Sequence, residues 1–591
     1  MELLYLWIED YKNIYRQGFN FSPLYDFEFK PTKEVDGKVI EGTLTDKMNP
    51  TERETKEKFY KDFFKDETTK NTDYGISNVT AIVGENGAGK SSVLHEILNK
   101  ISEPSNINRY EIKYVYLFID KENKLCLFRD SEERIRTNFN VRREENNPLK
   151  PYYFSNGFTP NDYTPYWEKS YFNNIHKAHD ISLNNQSRKI FKNLNKITIP
   201  DYFFLCESEI FKNELFFISH ILQNKIEIPL AIPQKSLIEI IAHQKSENIK
   251  KLEKDIEKIV YKNYQNIYKD KFINFLKKQI FIILLTDIDD SSLDKLKVFL
   301  STYESFEPFV SYFFEGGGFS SNEKRPDENI LNHIKDIEKI PDENFTQDGL
   351  LLETENKDLL KDFLESYYHT LKRLYHFKWI TSDYKILTLS SGEKSLLFLL
   401  SSLFVPVDTN YIFFLIDEGE FGLHPQWQKQ YLKILLETLP KIFPDKQIQL
   451  ILTSHSPFLV SDLPKENVIF LRKGRKEIDG EEKEGKSIVD DTFKEQTFGQ
   501  NIHTLFADSF FLENNGGLMG EFAKEKIYEI VAKIDEGNPT EKEKIRYSID
   551  IIGEPLIRQK LFELYTEQFT DEKEKLQNQI QELQNRLNKL P

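Results

Sequence analysis

"TAIVGENGAGKSSVLHEIL", Thr80 to Leu98, decides how the rest of the chain is read. An apolar run ends in Gly84-Glu85-Asn86-Gly87-Ala88-Gly89-Lys90-Ser91, which satisfies G-x-x-x-x-G-K-[ST], and apolar residues at helical spacing follow (Val93, Leu94, Ile97, Leu98). Glycines let backbone N–H groups wrap an anion, and a helix N-terminus adds a favourable field. The stretch Gly84 to Ser92 is therefore expected to hold nucleotide phosphates. Lys90 would reach the terminal phosphates and the Ser91 hydroxyl would serve Mg²⁺.

Three later stretches fit the same chemistry. "IFFLIDE" (Ile412–Glu418) is an apolar strand ending in two acids. Asp417 suits Mg²⁺, directly or through water, and Glu418 is placed to orient and deprotonate an attacking water. "LILTSHSP" sets His455 between two serines at the end of another strand, and "LSSGEKS" (Leu389–Ser395) precedes the acidic strand. A lone histidine is more often structural, but this position suits a sensor of the terminal phosphate.

Composition narrows the partners. Among 591 residues, 96 acidic side chains outnumber 80 basic ones, for a net charge of −16, which argues against a surface that coats nucleic acid throughout. The basic run "FLRKGRKE" (Arg472, Lys473, Arg475, Lys476) reads either as a local phosphate contact or as a solvated hairpin. Two cysteines are too few for a disulfide framework or a zinc site. No apolar run approaches the roughly 18 residues of a membrane span, and "MELLYLWIEDYKNI" alternates like a strand rather than a signal peptide, so a cytoplasmic location without membrane contact is expected.

The order strand, loop, helix, strand predicts an α/β head. Residues 1–207 would form its N-terminal part, with the polar segment 31–75 as a surface excursion. Residues 208–384, charged and helix-periodic, read as a mostly helical insertion. Residues 385–510 would complete the head, and residues 511–591 would form a helical region. In its last segment Leu576, Ile580, Leu583, Leu587 and Leu590 suit either a short coiled coil or an amphipathic helix packed on its own domain.

Taken together, these motifs resemble an ABC-type P-loop ATPase head of the soluble repair and defence branch, with ATP and Mg²⁺ as cofactors. In that family "LSSGEKS" corresponds to the signature L-S-G-G-Q, with Ser391 and Glu393 as departures. The resemblance implies that Ser390 and Gly392 contact ATP bound to a second head, giving a homodimer or higher oligomer. It further implies His455 as the switch histidine. Lys12 of "EDYKNI" would approach the nucleotide, and Asn156 of "YYFSNGFTPND" would replace the glutamine-loop metal ligand; both also read as ordinary loop residues. "LHP" (Leu423–Pro425) resembles the overcoming-lysogenization and RecF-like branches rather than transporter motors.

"LYLWIEDYKNI", "DEGE" followed by "HPQWQKQY", and "TFGQNIHTLFADSFFLENNGGLMGEFAKEKI" further resemble ATPase subunits of Septu-type and retron-associated anti-phage systems. That resemblance implies a separately encoded HNH nuclease held under ATP control, and in retron versions a reverse transcriptase with its DNA product. The alternative is a RecF- or SMC-like ATPase of DNA repair or chromosomes. No nuclease site is expected in this chain: Glu513 is not followed by D-x-D, Asp287 and Asp289 of "TDIDDSS" read as a polar turn, and His176 and His179 lack a third ligand.

Overall fold

The computed structural model describes the chain except residues 66–67, 103–110, 129–133, 145–148, 150, 156–178, 181–198, 243–246, 261–266, 285–296, 299, 303–305, 307, 309–326, 357–362, 364–374, 479–480, 491–495, 503–504, 506–520, 553 and 570–591. Two compact units separate, Met1–Ile502 and His503–Pro591.

The first unit is built on a seven-stranded sheet. Its order is β11 (His179–Asp180), β10 (Pro151–Ser155), β15 (Tyr411–Asp417), β16 (Gln447–Thr453), β5 (Gly75–Gly84), β17 (Val468–Ile478) and β18 (Glu481–Val489). All neighbours run parallel except the β17–β18 hairpin. Strands covered on both faces read as continuous apolar runs, and "YIFFLID", "QIQLILT" and "VTAIVG" are buried along almost their whole length. Asp417 pairs with Thr453, which pairs with Ile82, so β15, β16 and β5 end together at one edge.

A five-stranded sheet, β2 (Ile14–Asn20), β1 (Glu2–Tyr11), β6 (Tyr114–Ile119), β7 (Leu125–Phe128) and β9 (Arg142–Glu144), packs nearby. Strand β1 is buried on both faces. Leu3, Leu6 and Ile8 join Val93, Leu94 and Ile97 of the loop's helix and Leu415 and Ile451 of the central sheet in one core. Leu4, Tyr5 and Trp7 join Phe29, Val39 and Leu44 in another. These last three belong to a further sheet, β3 (Phe27–Val35), β4 (Lys38–Asp46) and β8 (Ile135–Thr137). The polar segment 31–75 is thus not a bare excursion: it contains most of a hairpin, and helix α1 (Pro50–Tyr60) follows it.

Helix α2 (Lys90–Ser102) leaves the phosphate loop. Among the described residues of 208–384, helices α3 (Ile199–Asn224), α4 (Glu247–Val260), α5 (Ile267–Leu284) and α6 (Asp327–Lys339) accompany an antiparallel sheet, β13 (Leu350–Glu353), β12 (Lys235–Ile240) and β14 (Tyr375–Ile380). Ile238, Leu252, Leu276, Ile337 and Leu350 share its core. Among the described residues this region therefore carries a three-stranded antiparallel sheet in addition to its helices.

The chain returns to the head through α7 (Ser391–Leu403), α8 (Pro425–Gln428), α9 (Tyr431–Ile442) and α10 (Pro457–Ser461). The second unit contains α11 (Glu521–Glu536), α12 (Lys542–Asp550) and α13 (Pro555–Phe569), joined through Ile534, Ile545, Ile549, Leu561 and Tyr565. The coiled-coil segment and Glu513, Asp287, Asp289 and His176 lie outside the described residues. No helix among the described residues is long and apolar enough to cross a membrane.

Candidate functional site

The site lies where β5, β15 and β16 end, the edge at which open parallel sheets bind ligands. Strand β5 stops at Gly84, whose φ of +136° and surroundings admit no side chain: a β-carbon there would lie 1.8 Å from the Leu471 carbonyl oxygen. Gly87 and Gly89 also have positive φ, +73° and +101°. Asn86 is exposed on the loop and Ala88 is buried beneath it, while Ser92 sits in the first turn of α2.

Lys90 is buried and folds back on the loop, its ammonium donating to the Gly84 and Glu85 carbonyls at 3.2 and 3.0 Å. Burial pushes its pKa down to about 8, against the opposing pull of Glu418, Asp417, Glu420 and Glu85. A buried cation held by two carbonyls and facing acids is prepared to receive an anion.

Ser91 Oγ donates to Asp417 Oδ1 at 2.9 Å, so the loop and the acidic strand are joined directly. Thr453 Oγ1 donates to the same oxygen, and Tyr153 Oη donates to Oδ2 at 3.3 Å. His95 Nε2 lies 2.9 Å from Tyr153 Oη. Glu418 has φ +50°, a conformation uncommon for a side chain of its kind, and its N–H bonds Thr453 O and Oγ1 at 3.2 and 3.1 Å. His455 Nε2 then lies 3.4 Å from Glu418 Oε1. That contact holds the Glu418 carboxyl below its ordinary range although partial burial opposes it.

Three participants escaped sequence reasoning. Glu420 is buried, and its Oε1 accepts from Ser454 Oγ at 2.5 Å and from His455 N at 3.1 Å. Burial raises its pKa, and its Oε2 has no hydrogen-bond partner. Tyr153 supports Asp417 as described. Asn13, next to Lys12, reaches the loop, with Nδ2 donating to the Gly87 carbonyl at 3.2 Å. The Lys12 ammonium lies 5.3 Å from the Tyr11 ring centroid, with Lys12 itself at φ +53°. Asn156 lies outside the described residues. "DEGE" carried a signal for Glu420, an acid recurring two residues after Glu418, and "KN" one for Asn13.

Ser390 caps α7 in a reciprocal capping box: Glu393 N donates to Ser390 Oγ, and the Ser390 N–H and hydroxyl donate to Glu393 Oε2 at 2.8 and 2.7 Å. A β-carbon on Gly392 would stand 3.2 Å from Trp427 Cδ1, so the start of α7 packs on the segment following the two acids. Ser390 is exposed.

Ser91 Oγ and Asp417 Oδ1 are two hard oxygens already in contact, the donor chemistry that Mg²⁺ takes from a protein when phosphate and water complete its shell. Among the described residues no group of three or more His, Cys, Asp or Glu side chains is placed to hold a metal unaided.

The fold and this loop define a P-loop ATPase, and the chain belongs to the AAA ATPase domain family, whose profile matches residues 58–460. Among curated proteins it is similar to the Retron Ec83 probable ATPase of Escherichia coli, 35% identical over 101 residues, covering 15% of this chain and 18% of that protein. It is also similar to the Retron Vc95 probable ATPase of Vibrio cholerae serotype O1 biovar El Tor, 35% identical over 98 residues, with the same coverage of 15% and 18%. The chain therefore matches less than a fifth of the length of either relative.

Proposed function

We propose that this ATPase binds ATP with Mg²⁺, closes two heads on it, and through closure and hydrolysis controls a separately encoded nuclease in anti-phage defence. The observation carrying the hydrolytic part is the meeting of Ser91, Asp417, Glu418 and His455 at one sheet edge, within 2.9 and 3.4 Å contacts. Lys90 exchanges its carbonyl partners for phosphate oxygens. Ser91 and Asp417 would hold Mg²⁺, which would supply positive charge to the phosphate chain. Glu418, kept ionised by His455, accepts the proton of the attacking water, and His455 reports the terminal phosphate.

Dimerisation is supported by the exposed position of Ser390 at the N-terminus of α7, where another head's nucleotide would have to displace the Glu393 carboxylate from the Ser390 N–H and hydroxyl. The defence role is supported by the retron ATPases named above. An HNH-type nuclease, and a retron reverse transcriptase with its DNA, are the partners that the sequence resemblance implies.

The test is purification of the Glu418→Gln variant from its native host with the neighbouring genes intact, followed by mass spectrometry. A nuclease in ATP-dependent association supports the reading. A homodimer alone, with salt-sensitive duplex DNA binding, would replace it by the repair reading.

A further inference from the structure

The basic run Arg472, Lys473, Arg475 and Lys476 opens the β17–β18 hairpin beside the phosphate loop, and three of its four cations are already engaged. Arg472 Nε lies 3.7 Å from Asp490 Oδ2. Arg475 Nη2 pairs with Glu484 Oε1 at 2.5 Å. The Lys476 ammonium donates to Tyr15 O at 2.7 Å and to Gln17 Oε1 at 3.0 Å. This occupancy disfavours the run as a continuous nucleic-acid patch.

Lys473 differs. Its backbone N–H is tied to Glu85 Oε2 at 2.9 Å, while its side chain is exposed and lies against Gly87, with Cε and Nζ each 3.3 Å from where a β-carbon on that glycine would stand. Among the described residues no carboxylate forms an ion pair with its ammonium. The placement is firmly built. Glu85 N donates to Leu471 O at 3.0 Å, Ser487 Oγ to Ala88 O at 2.6 Å, Asn13 Nδ2 to Gly87 O at 3.2 Å, and Ser487 N to Asn13 O at 2.8 Å.

Two of those bonds occupy the Gly87 and Ala88 carbonyls; Glu85 N and Ala88 N are spent on Leu471 O and Glu85 O, and the Lys473 ammonium stands beside Gly87. A cation set beside a phosphate loop without an ion-pair partner of its own among the described residues raises the local potential, and that cost is offset when a polyanion arrives. We propose that Lys473 is a second phosphate-binding lysine, supplied by the hairpin from outside the loop, that acts with Lys90 on the phosphate chain of a nucleoside triphosphate. This rests on the nucleotide-binding reading of the loop. It also gives the hairpin a role: its position is read by the bound nucleotide, because Lys473, Leu471 and Ser487 all touch the loop.

The test measures ATP and ADP affinity by calorimetry at low and high salt for the full chain and for Lys473→Ala, Lys473→Glu, Lys473→Arg and Lys90→Ala. Lys473→Ala should weaken ATP binding about tenfold at low salt, the scale of one charge-assisted contact, and less at high salt. Lys473→Glu should weaken it further, and Lys473→Arg should stay near the parent. Because the side chain is exposed, melting temperatures without nucleotide should not change. Parent-like ATP affinity in both the Ala and Glu variants would overturn the role of Lys473 while leaving the loop reading intact. Equal affinity of the parent and Lys90→Ala would instead sink the loop reading, and this proposal with it.

Discussion

Replacing Glu420 tests how His455 is held. The carboxylate accepts two buried bonds through one oxygen, from Ser454 Oγ and His455 N, while the other oxygen has no partner. Glu420→Ala strands two donors and opens a void. An unsatisfied buried donor costs about 1–3 kcal/mol, and the Ser454 hydroxyl can rotate away, so a loss of about 2–4 kcal/mol is expected. Glu420→Gln keeps the accepting oxygen and puts an amide on the unpartnered side. The Tyr431 hydroxyl, buried and without a hydrogen-bond partner among the described residues, also feels the Glu420 charge.

Glutamine should therefore be neutral to stabilising at pH 7. The sign follows from linkage. Burial raises the Glu420 pKa above its ordinary value of 4.5, so the folded state binds this proton more tightly than the unfolded chain. The stability it contributes is complete below 4.5 and is lost as pH rises through the raised value. The gap between Glu420→Gln and the parent should widen over that window. Denaturant melts at several pH values, with ATP turnover alongside, check this. Glu420→Ala should lose at least tenfold in turnover with ATP affinity retained, because His455 loses its backbone anchor. An alanine variant as stable and as active as the parent would refute the reasoning.

Gly84→Ala should be the most damaging loop substitution, costing upward of about 3 kcal/mol, since its β-carbon would meet the Leu471 backbone oxygen at 1.8 Å; thermal melts measure it. Tyr153→Phe removes one of the hydrogen bonds on Asp417 and should lower turnover several-fold, with the Mg²⁺ requirement shifted to higher concentration in a titration. Lys90→Ala should abolish ATP binding in calorimetry and leave the fold intact by circular dichroism.

The central sheet was legible because strands covered on both faces must be apolar throughout, and β5, β15 and β16 are; the glycine loop and paired acids then fixed which edge is chemical. The β3–β4 hairpin was hidden because only one face is buried, through Phe29, Val39 and Leu44, so its polar face dominated the composition. The sheet within 208–384 was hidden because its strands are short, four to six residues between charged helices. Asn13 was missed since a basic neighbour is the more obvious phosphate contact, and the turn at Lys12, φ +53°, that brings Asn13 to Gly87 leaves no pattern in the residue types.

Glu420 shows why a site exceeds its motif. In a chain with 96 acids the recurrence of one two residues after Glu418 is a weak signal, and its meaning comes from burial and partners. Those partners make a physical connection that no local pattern states. A β-carbon on Gly422 would lie 3.1 Å from Ser395 Oγ of α7, and one on Gly392 would lie 3.2 Å from Trp427, so α7 rests on residues 422–427. Two residues before Gly422, Glu420 holds Ser454 and His455, and His455 touches Glu418. Contact is therefore continuous from Ser395 to Glu418. A change at the start of α7 has a short packed route to the Glu418 carboxylate, and Glu420→Ala cuts that route at its buried charged member while leaving Ser91 and Asp417 in contact.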